Sequence, residues 1–168
     1  MRHAEPAINR GLPASRWPLS ADGRASCQPL AEALSGYAPA HVASSREPKA
    51  METARLVAAA LEIEWTAHDG LEEHHRESVP FLGNFRTRVA DFFARPDQRV
   101  LGEESAAECL ERFSAAVDAV LAGWSWRRPA IIVTHGTTMS LLAARRTGRE
   151  PMAIWDSLRL PCLLLLDD

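Results

Sequence analysis

Ala130-Ile131-Ile132-Val133-Thr134-His135-Gly136-Thr137 decides the fold. Ile131, Ile132 and Val133 run without polar alternation, so the strand they form is predicted to be buried on both faces, as in a parallel sheet covered by helices. Gly136 breaks the strand, and a helix is predicted from about Thr137. His135 thereby stands at the carboxyl edge of a strand, where open α/β sheets take their ligands. The helix start beside it offers free N–H groups to an anion.

Outward from that segment the same alternation repeats. Upstream, a helix is predicted from near Glu103, with Leu110, Phe113, Val117 and Val120 on one face. Glu103 and Glu104 suit its positive N-terminal end. Before it come a helix around Phe85–Phe93, a polar loop over Asp69–Ser78 and a strand over Ile63–Ala67. Pro48 fits the first turn of a helix through Leu61, which repeats Ala50, Ala54, Val57 and Leu61 at helical spacing. His41–Ser45 reads as a short strand. Ser20 caps a helix to about Leu34 that Pro29 should kink and Gly36 ends. Ala4–Pro18, punctuated by Pro6, Gly11, Pro13 and Pro18, reads as loop. Downstream, Cys162–Leu166 reads as a last apolar strand. Strand and helix alternate throughout, which predicts an α/β protein with a largely parallel sheet.

The composition narrows the function. The 168 residues fit one domain over 1–168. A net charge of −3 gives no support to a nucleic-acid or acidic-membrane binder. Cys27, Cys109 and Cys162 form no CxxC pair, so neither a disulfide framework nor a zinc knuckle is expected. No signal pattern or membrane-length apolar run is present, and a cytoplasmic chain is expected. His74 and His75 lie beside two glutamates, but adjacent ligands cannot readily share one metal, and no metal is expected. Of the 19 basic residues, Lys49 alone is lysine. In a composition that drifts so far toward arginine, its retention hints that the position wants an amine.

The motifs add up to a resemblance. Arg2-His3-Ala4-Glu5 is similar to the R-H-G-E signature of the histidine phosphatase superfamily, which includes cofactor-dependent phosphoglycerate mutases and small phosphatases. Pro18-Leu19-Ser20 to Gly23, then Leu30-Ala31, resembles its P-L-[ST]-x-x-G…L-A stretch. Ser44-Ser45 with Ala50, Thr53 and Ala54 resembles S-S-P-L-x-R-A-x-x-T-A. Leu71-Glu72-Glu73 resembles L-x-E, Gly102–Ser105 resembles G-E-S, and Thr134-His135-Gly136 resembles the second-histidine motif. Each is weak alone, but all six stand in family order over essentially the whole chain.

The resemblance implies a phosphoglycerate mutase-like three-layer α/β/α fold with a mostly parallel central sheet. It also implies hydrolysis of phosphomonoesters through a phosphohistidine, with no organic cofactor and no metal. His3 would be the nucleophile, Arg2 the first phosphate clamp, and His135 a donor to the phosphoryl oxygens. Glu73 would be the general acid and later the base, favoured over its neighbour Glu72. Asn9 matches an asparagine that some members place on phosphate, although in such a loop asparagine also serves turns. This assignment fits the chemistry. A neutral imidazole is a good nucleophile, the transition state needs positive clamps, and the leaving oxygen needs an acid. The implied partner is a small phosphorylated substrate, with a phosphoprotein as the alternative. A mutase ranks below a phosphatase, because the chain lacks large insertions. Asp69–Phe81, with Arg76 and both spare histidines, is the one sizeable candidate for a substrate lid.

The sequence also departs from the pattern in three places. Lys49 stands where the family has its second clamp arginine, with Arg46 as a possible substitute; a lysine lacks the bidentate fork. Ala4 replaces the glycine after the nucleophile and is expected to be tolerated. The apolar strand that the family places before R-H-G is missing upstream of Met1, where a short β-prone segment in frame is expected. With Met1 as the start, His3 is expected on a frayed end. These departures keep open the alternative of a catalytically weak or inactive phosphate-binding or interaction module of the same fold.

Overall fold

Three parallel strands hold the sheet together in a computed structural model that describes residues 1–123 and 128–165. They are β1 (His41–Ser45), β2 (Glu64–His68) and β3 (Ala130–Val133), in the order β2-β1-β3. Val42 lies between Trp65 and Ile131, and Ser44 between Ala67 and Val133. The side chains of β3 divide between two cores, as the pleat requires. Ile131 and Val133 pack with Val42 against α2 (Cys27–Ser35) and α3 (Pro48–Leu61). Ile132 packs on the other face, with Ala43, against α5 (Ala106–Ala122) and α6 (Gly136–Thr147). Helix, sheet and helix thus form three layers, as expected. A third cluster joins α4 (Phe85–Ala94) to α5 and α6 through Phe92, Leu101 and Leu141.

Met1–His3 forms a short parallel stub along the free edge of β3. Met1 N donates to Ile132 O at 2.7 Å, Thr134 N to Met1 O at 2.9 Å, and His3 N to Thr134 O at 3.0 Å. On the stub's other side Arg2 N donates to Cys162 O at 2.9 Å. His3 is therefore pinned and only 5% exposed, in contrast to the frayed end expected for it. Cys162 makes only an isolated antiparallel bridge to Arg2. The last strand expected over Cys162–Leu166 reduces to that bridge, and Leu166 lies outside the described residues.

Other boundaries shift for local reasons. The helix expected from Ser20 to Leu34 breaks at Ser26 into α1 (Ala21–Ala25) and α2, which puts Pro29 in the first turn of α2. There its missing N–H costs nothing. The strand expected at Ile63 starts at Glu64, because Ile63 N still closes α3 on Ala58 O at 3.0 Å. The fifth helix starts at Ala106 rather than near Glu103, since Ser105 and Glu108 form a reciprocal capping box. A further short helix, α7 (Pro151–Ser157), buries Ile154.

Gly23 shows how tightly the N-terminal loop is seated. Ser20 N donates to Glu5 O at 2.9 Å, and a Cβ at Gly23 would stand 2.1 Å from that same carbonyl oxygen. In a helix alanine gains about 1 kcal/mol over glycine. Overpacking against backbone costs about 1–3 kcal/mol or more and should outweigh that gain. Gly23→Ala is therefore expected to lower the thermal midpoint; an unchanged or raised midpoint would show that this loop moves freely.

Candidate active site

His3 and His135 meet at the carboxyl edge of β3, with ring centroids 5.1 Å apart. The stub positions the first and the turn into α6 the second. His3 Nδ1 lies 2.7 Å from Ala4 O, which can only accept, so Nδ1 carries the proton and Nε2 keeps its lone pair. Burial, then the neighbouring His135 and Lys49, hold the His3 pKa well below its ordinary value. His135 is fully buried, and its pKa is likewise held down by burial and by Lys49, against the opposing pull of Glu73. Both imidazoles are neutral at pH 7.

That state makes the fold acid-sensitive. Each histidine binds its proton more readily in the unfolded chain, so its contribution is complete above the unfolded pKa near 6.5 and is lost as pH falls below it. The cost is about 1.4 kcal/mol per pH unit for each proton excluded from the fold. Thermal midpoints are expected to fall between pH 7 and pH 5, and His135→Gln should flatten that slope. An equally steep slope in the variant would mean that His135 is protonated in the folded protein.

The N-terminal loop is tied to α3 through Thr53. Its hydroxyl accepts from Ala4 N at 3.0 Å and donates to Lys49 O at 2.7 Å, which gives the threonine of the S-S-P-L-x-R-A-x-x-T-A pattern a physical role. Ala4 fits without a left-handed backbone, as its φ is not positive. Arg2 reaches Leu158 O at 3.0 Å with Nη1, while its Nε is buried without a partner. Its guanidinium lies so near Gly136 that a Cβ there would come within 3.2 Å of it.

The two candidate acids separate clearly. Glu72 is turned back on the loop, accepting from Gly70 N at 2.7 Å and Arg46 N at 3.4 Å. Glu73 sits over the start of α6, accepting from Thr137 N and Thr138 N, each at 3.2 Å. Burial raises its pKa, but the charges of His135, His74 and Arg76 outweigh burial and bring it to about 2. Arg112, which the sequence patterns do not single out, holds this loop. It donates to the carbonyls of Gly70, Glu72 and Glu73 and pairs with Glu104 at 2.6 Å. The G-E-S motif thus splits into a positive-φ Gly102 against the His75 backbone, a Glu104 that fixes Arg112, and a Ser105 that caps α5.

Lys49 enters the site, but not as a free clamp. It is 5% exposed, donates to Ala14 O at 2.8 Å and is paired with Glu47. Glu47 is the site residue that the motifs miss. Its other carboxylate oxygen accepts from Glu73 N at 2.8 Å and lies 3.5 Å from His135 Nε2. A signal for it exists, since an acid occupies the place next to the proline in S-S-P-L.

Two expected phosphate ligands lie elsewhere. Arg46 is exposed and paired with Asp69 at 2.5 Å, because its side chain leaves the strand end away from the cavity. Asn9 closes its own turn, accepting from Gly11 N at 2.9 Å, and does not line the cavity. Arg76 does line it, with its Nε buried and unpartnered and its guanidinium 4.3 Å from the Phe85 ring. Of the spare histidines, His74 is buried against Phe92, its Nε2 2.9 Å from Leu101 O, while His75 is exposed beside Glu104. Among the described residues no cluster of three or more metal-ligating side chains gathers, and no helix is long and apolar enough to cross a membrane.

His3, His135, Arg2, Lys49, Arg76, Glu47 and Glu73 thus line one cavity of about 570 Å³ at the strand ends, with two more histidines and four more glutamates around it. The profile of the histidine phosphatase superfamily (branch 1) matches residues 1–164, and the chain belongs to that family. No curated protein sequence matches it. Among solved structures it resembles Bacillus stearothermophilus YhfR, with 22% identity, a TM-score of 0.74, and coverage of 92% of this chain and 81% of that one. The mycobacterial glucosyl-3-phosphoglycerate phosphatase Rv2419c gives 22% identity and a TM-score of 0.69, over 94% and 82%. A putative α-ribazole-5′-P phosphatase from Escherichia coli gives 25% and 0.66, over 93% and 81%.

Proposed function

We propose that this chain is a metal-independent phosphomonoester hydrolase that works through a phosphohistidine on His3. The observation that carries the reading is that the guanidinium side chains of Arg2 and Arg76 line one cavity with His3, whose Nδ1 is engaged by Ala4 O and whose Nε2 is left without a hydrogen-bond partner. Two guanidinium groups beside a free imidazole nitrogen offer an incoming phosphate charge-assisted hydrogen bonds next to a nucleophile.

In the first step His3 Nε2 attacks phosphorus. The N–P bond forms as the bond to the ester oxygen breaks, and that oxygen leaves with a proton from Glu73. Glu73 is a carboxylate in the free protein. It takes up its proton as the ester enters as a monoanion, since a second negative charge beside it raises its pKa. In the second step water attacks phosphorus, gives its proton to Glu73, and the N–P bond breaks to release inorganic phosphate. Arg2, Arg76 and His135 hold the charge on the equatorial oxygens throughout. The substrate is a small phosphorylated molecule, and the resemblances to a sugar-acid phosphatase and a ribazole phosphatase support a phosphatase over a mutase.

Hydrolysis of p-nitrophenyl phosphate in the presence of EDTA tests this reading, with activity expected. Glu73→Gln should slow alkyl esters far more than the nitrophenyl ester, whose leaving group departs without a proton. Equal slowing of both would remove Glu73 as the acid. One observation favours the second reading, a phosphate-binding module with little or no turnover: the Glu47–Lys49 pair places a carboxylate inside the phosphate cavity. A cooperatively folded sample without turnover would decide for that module.

A further inference from the structure

Four of the six exposed large apolar side chains among the described residues gather at one place. Ile8, Leu12, Phe81 and Leu160, between 38% and 60% exposed, all line the active-site cavity or the one beside it. That second cavity, of about 510 Å³, runs between residues 8–17 and 76–85. It shares Ile8, Trp17, Arg76 and Phe85 with the first, so the two adjoin along one trough. The volume lies within the range of small-molecule sites.

Apolar and aromatic side chains predominate on the walls, beside Arg10, Arg76, Glu77 and Ser78. Trp17 and Phe81 face each other with centroids 6.4 Å apart, and Phe85 and Trp155 stand 6.2 Å apart. The cations nearby are laid over rings: Arg10 is 4.7 Å from the centroid of Phe81, and Arg76 covers Phe85. Ser15 on one wall is hydrogen-bonded to Glu77 on the other, which ties the two walls together. Exposed apolar residues gathered at one place mark a binding surface, whereas single ones need no explanation.

We infer that the ester taken at His3 carries an apolar leaving group, an alkyl chain or aromatic ring, that lies along this trough. The inference rests on the phosphate reading above. Proximity selects the occupant, since Arg76 and Phe85 line both cavities and a group beside them is within covalent reach of a phosphate held between Arg2 and Arg76. A polar sugar would gain no hydrogen bond from Ile8, Leu12, Phe81 and Leu160, the exposed side chains that an apolar group would cover.

Calorimetric titration with linear alkylphosphonates, from methyl through butyl to hexyl, tests this without depending on turnover, because their C–P bond is not cleaved. Each buried methylene is expected to tighten binding by about two- to fourfold, leaving hexylphosphonate at least about thirtyfold tighter than methylphosphonate. In Leu12→Ser and Phe81→Ala, both at exposed positions, the gain with chain length should largely disappear. Equal affinity along the series, with inorganic phosphate still bound, would overturn the apolar leaving group and leave the phosphate site standing. A gain that persists in both variants would place the chain outside the trough and overturn the inference as well. Failure of every phosphonate and of phosphate itself to bind would instead sink the phosphate reading, and this inference with it.

Discussion

His3→Ala is expected to lower turnover of p-nitrophenyl phosphate by about 10⁴-fold or more, with the fold intact. The other rings on the cavity are otherwise engaged: His135 is buried with its Nε2 2.8 Å from Ser45 Oγ, His74 packs on Phe92, and His75 lies beside Glu104. Removing a nucleophile that works with its partners as a unit costs most of the chemical acceleration, and only the fixed positive donors remain. The fold should survive, because His3 is anchored by its main chain to Thr134 and its ring bonds only the adjacent carbonyl of Ala4. The sharper measurement is chemical. Rapid quenching in alkali should trap a phosphorylated wild-type protein, acid should strip the label from its N–P bond, and His3→Ala should carry no label. Turnover that survives in His3→Ala would exclude His3 as the nucleophile whatever the fate of the other residues.

Much of this site is legible in the sequence, for definite reasons. The unalternated run Ile131–Val133 forces a strand buried on both faces, and Gly136 forces its end. Together these place His135 at a strand edge without any knowledge of tertiary contacts. His41–Ser45 and Pro48–Leu61 fall where propensity and the proline at a first turn put them. Other features depend on contacts between distant segments and leave no local trace. The stub at Met1–His3 exists because β3 offers it an edge, and a three-residue stretch has no period to read. Arg112 looks like any polar residue on an amphipathic helix until its guanidinium is seen under the Gly70–Glu73 carbonyls. Motif spacing puts the second clamp at Lys49 and leaves Arg46, three positions earlier, as a possible substitute. Only the turn of α3 shows that one is exposed beside Asp69 and the other is buried beside Glu47.

That buried pair leads to the second large expected effect. Glu47 and Lys49 are each about 6% exposed, and each neutralises the other. Removing either partner of such a pair leaves an uncompensated charge and costs about 3–5 kcal/mol. Glu47→Leu and Lys49→Met should therefore both be strongly destabilised in phosphate-free buffer, while the double variant should recover much of the loss. Phosphate separates the two single variants. In Glu47→Leu the freed Lys49 has an anion to pair with, and a like charge has left the cavity, so phosphate should bind at least about tenfold tighter than to the wild type. Ligand binding to the folded state alone stabilises it by mass action, so thermal midpoints of Glu47→Leu should climb with phosphate concentration. In Lys49→Met the orphaned charge is Glu47, which phosphate can only repel, and no rescue is expected. Thermal melts of the four proteins across a phosphate series decide the matter. Equal protection of all four would mean that the pair is purely structural and that the anion sits on Arg2 and Arg76 alone. Rescue confined to Glu47→Leu would show that Lys49 is a phosphate clamp held in check by its own neighbour.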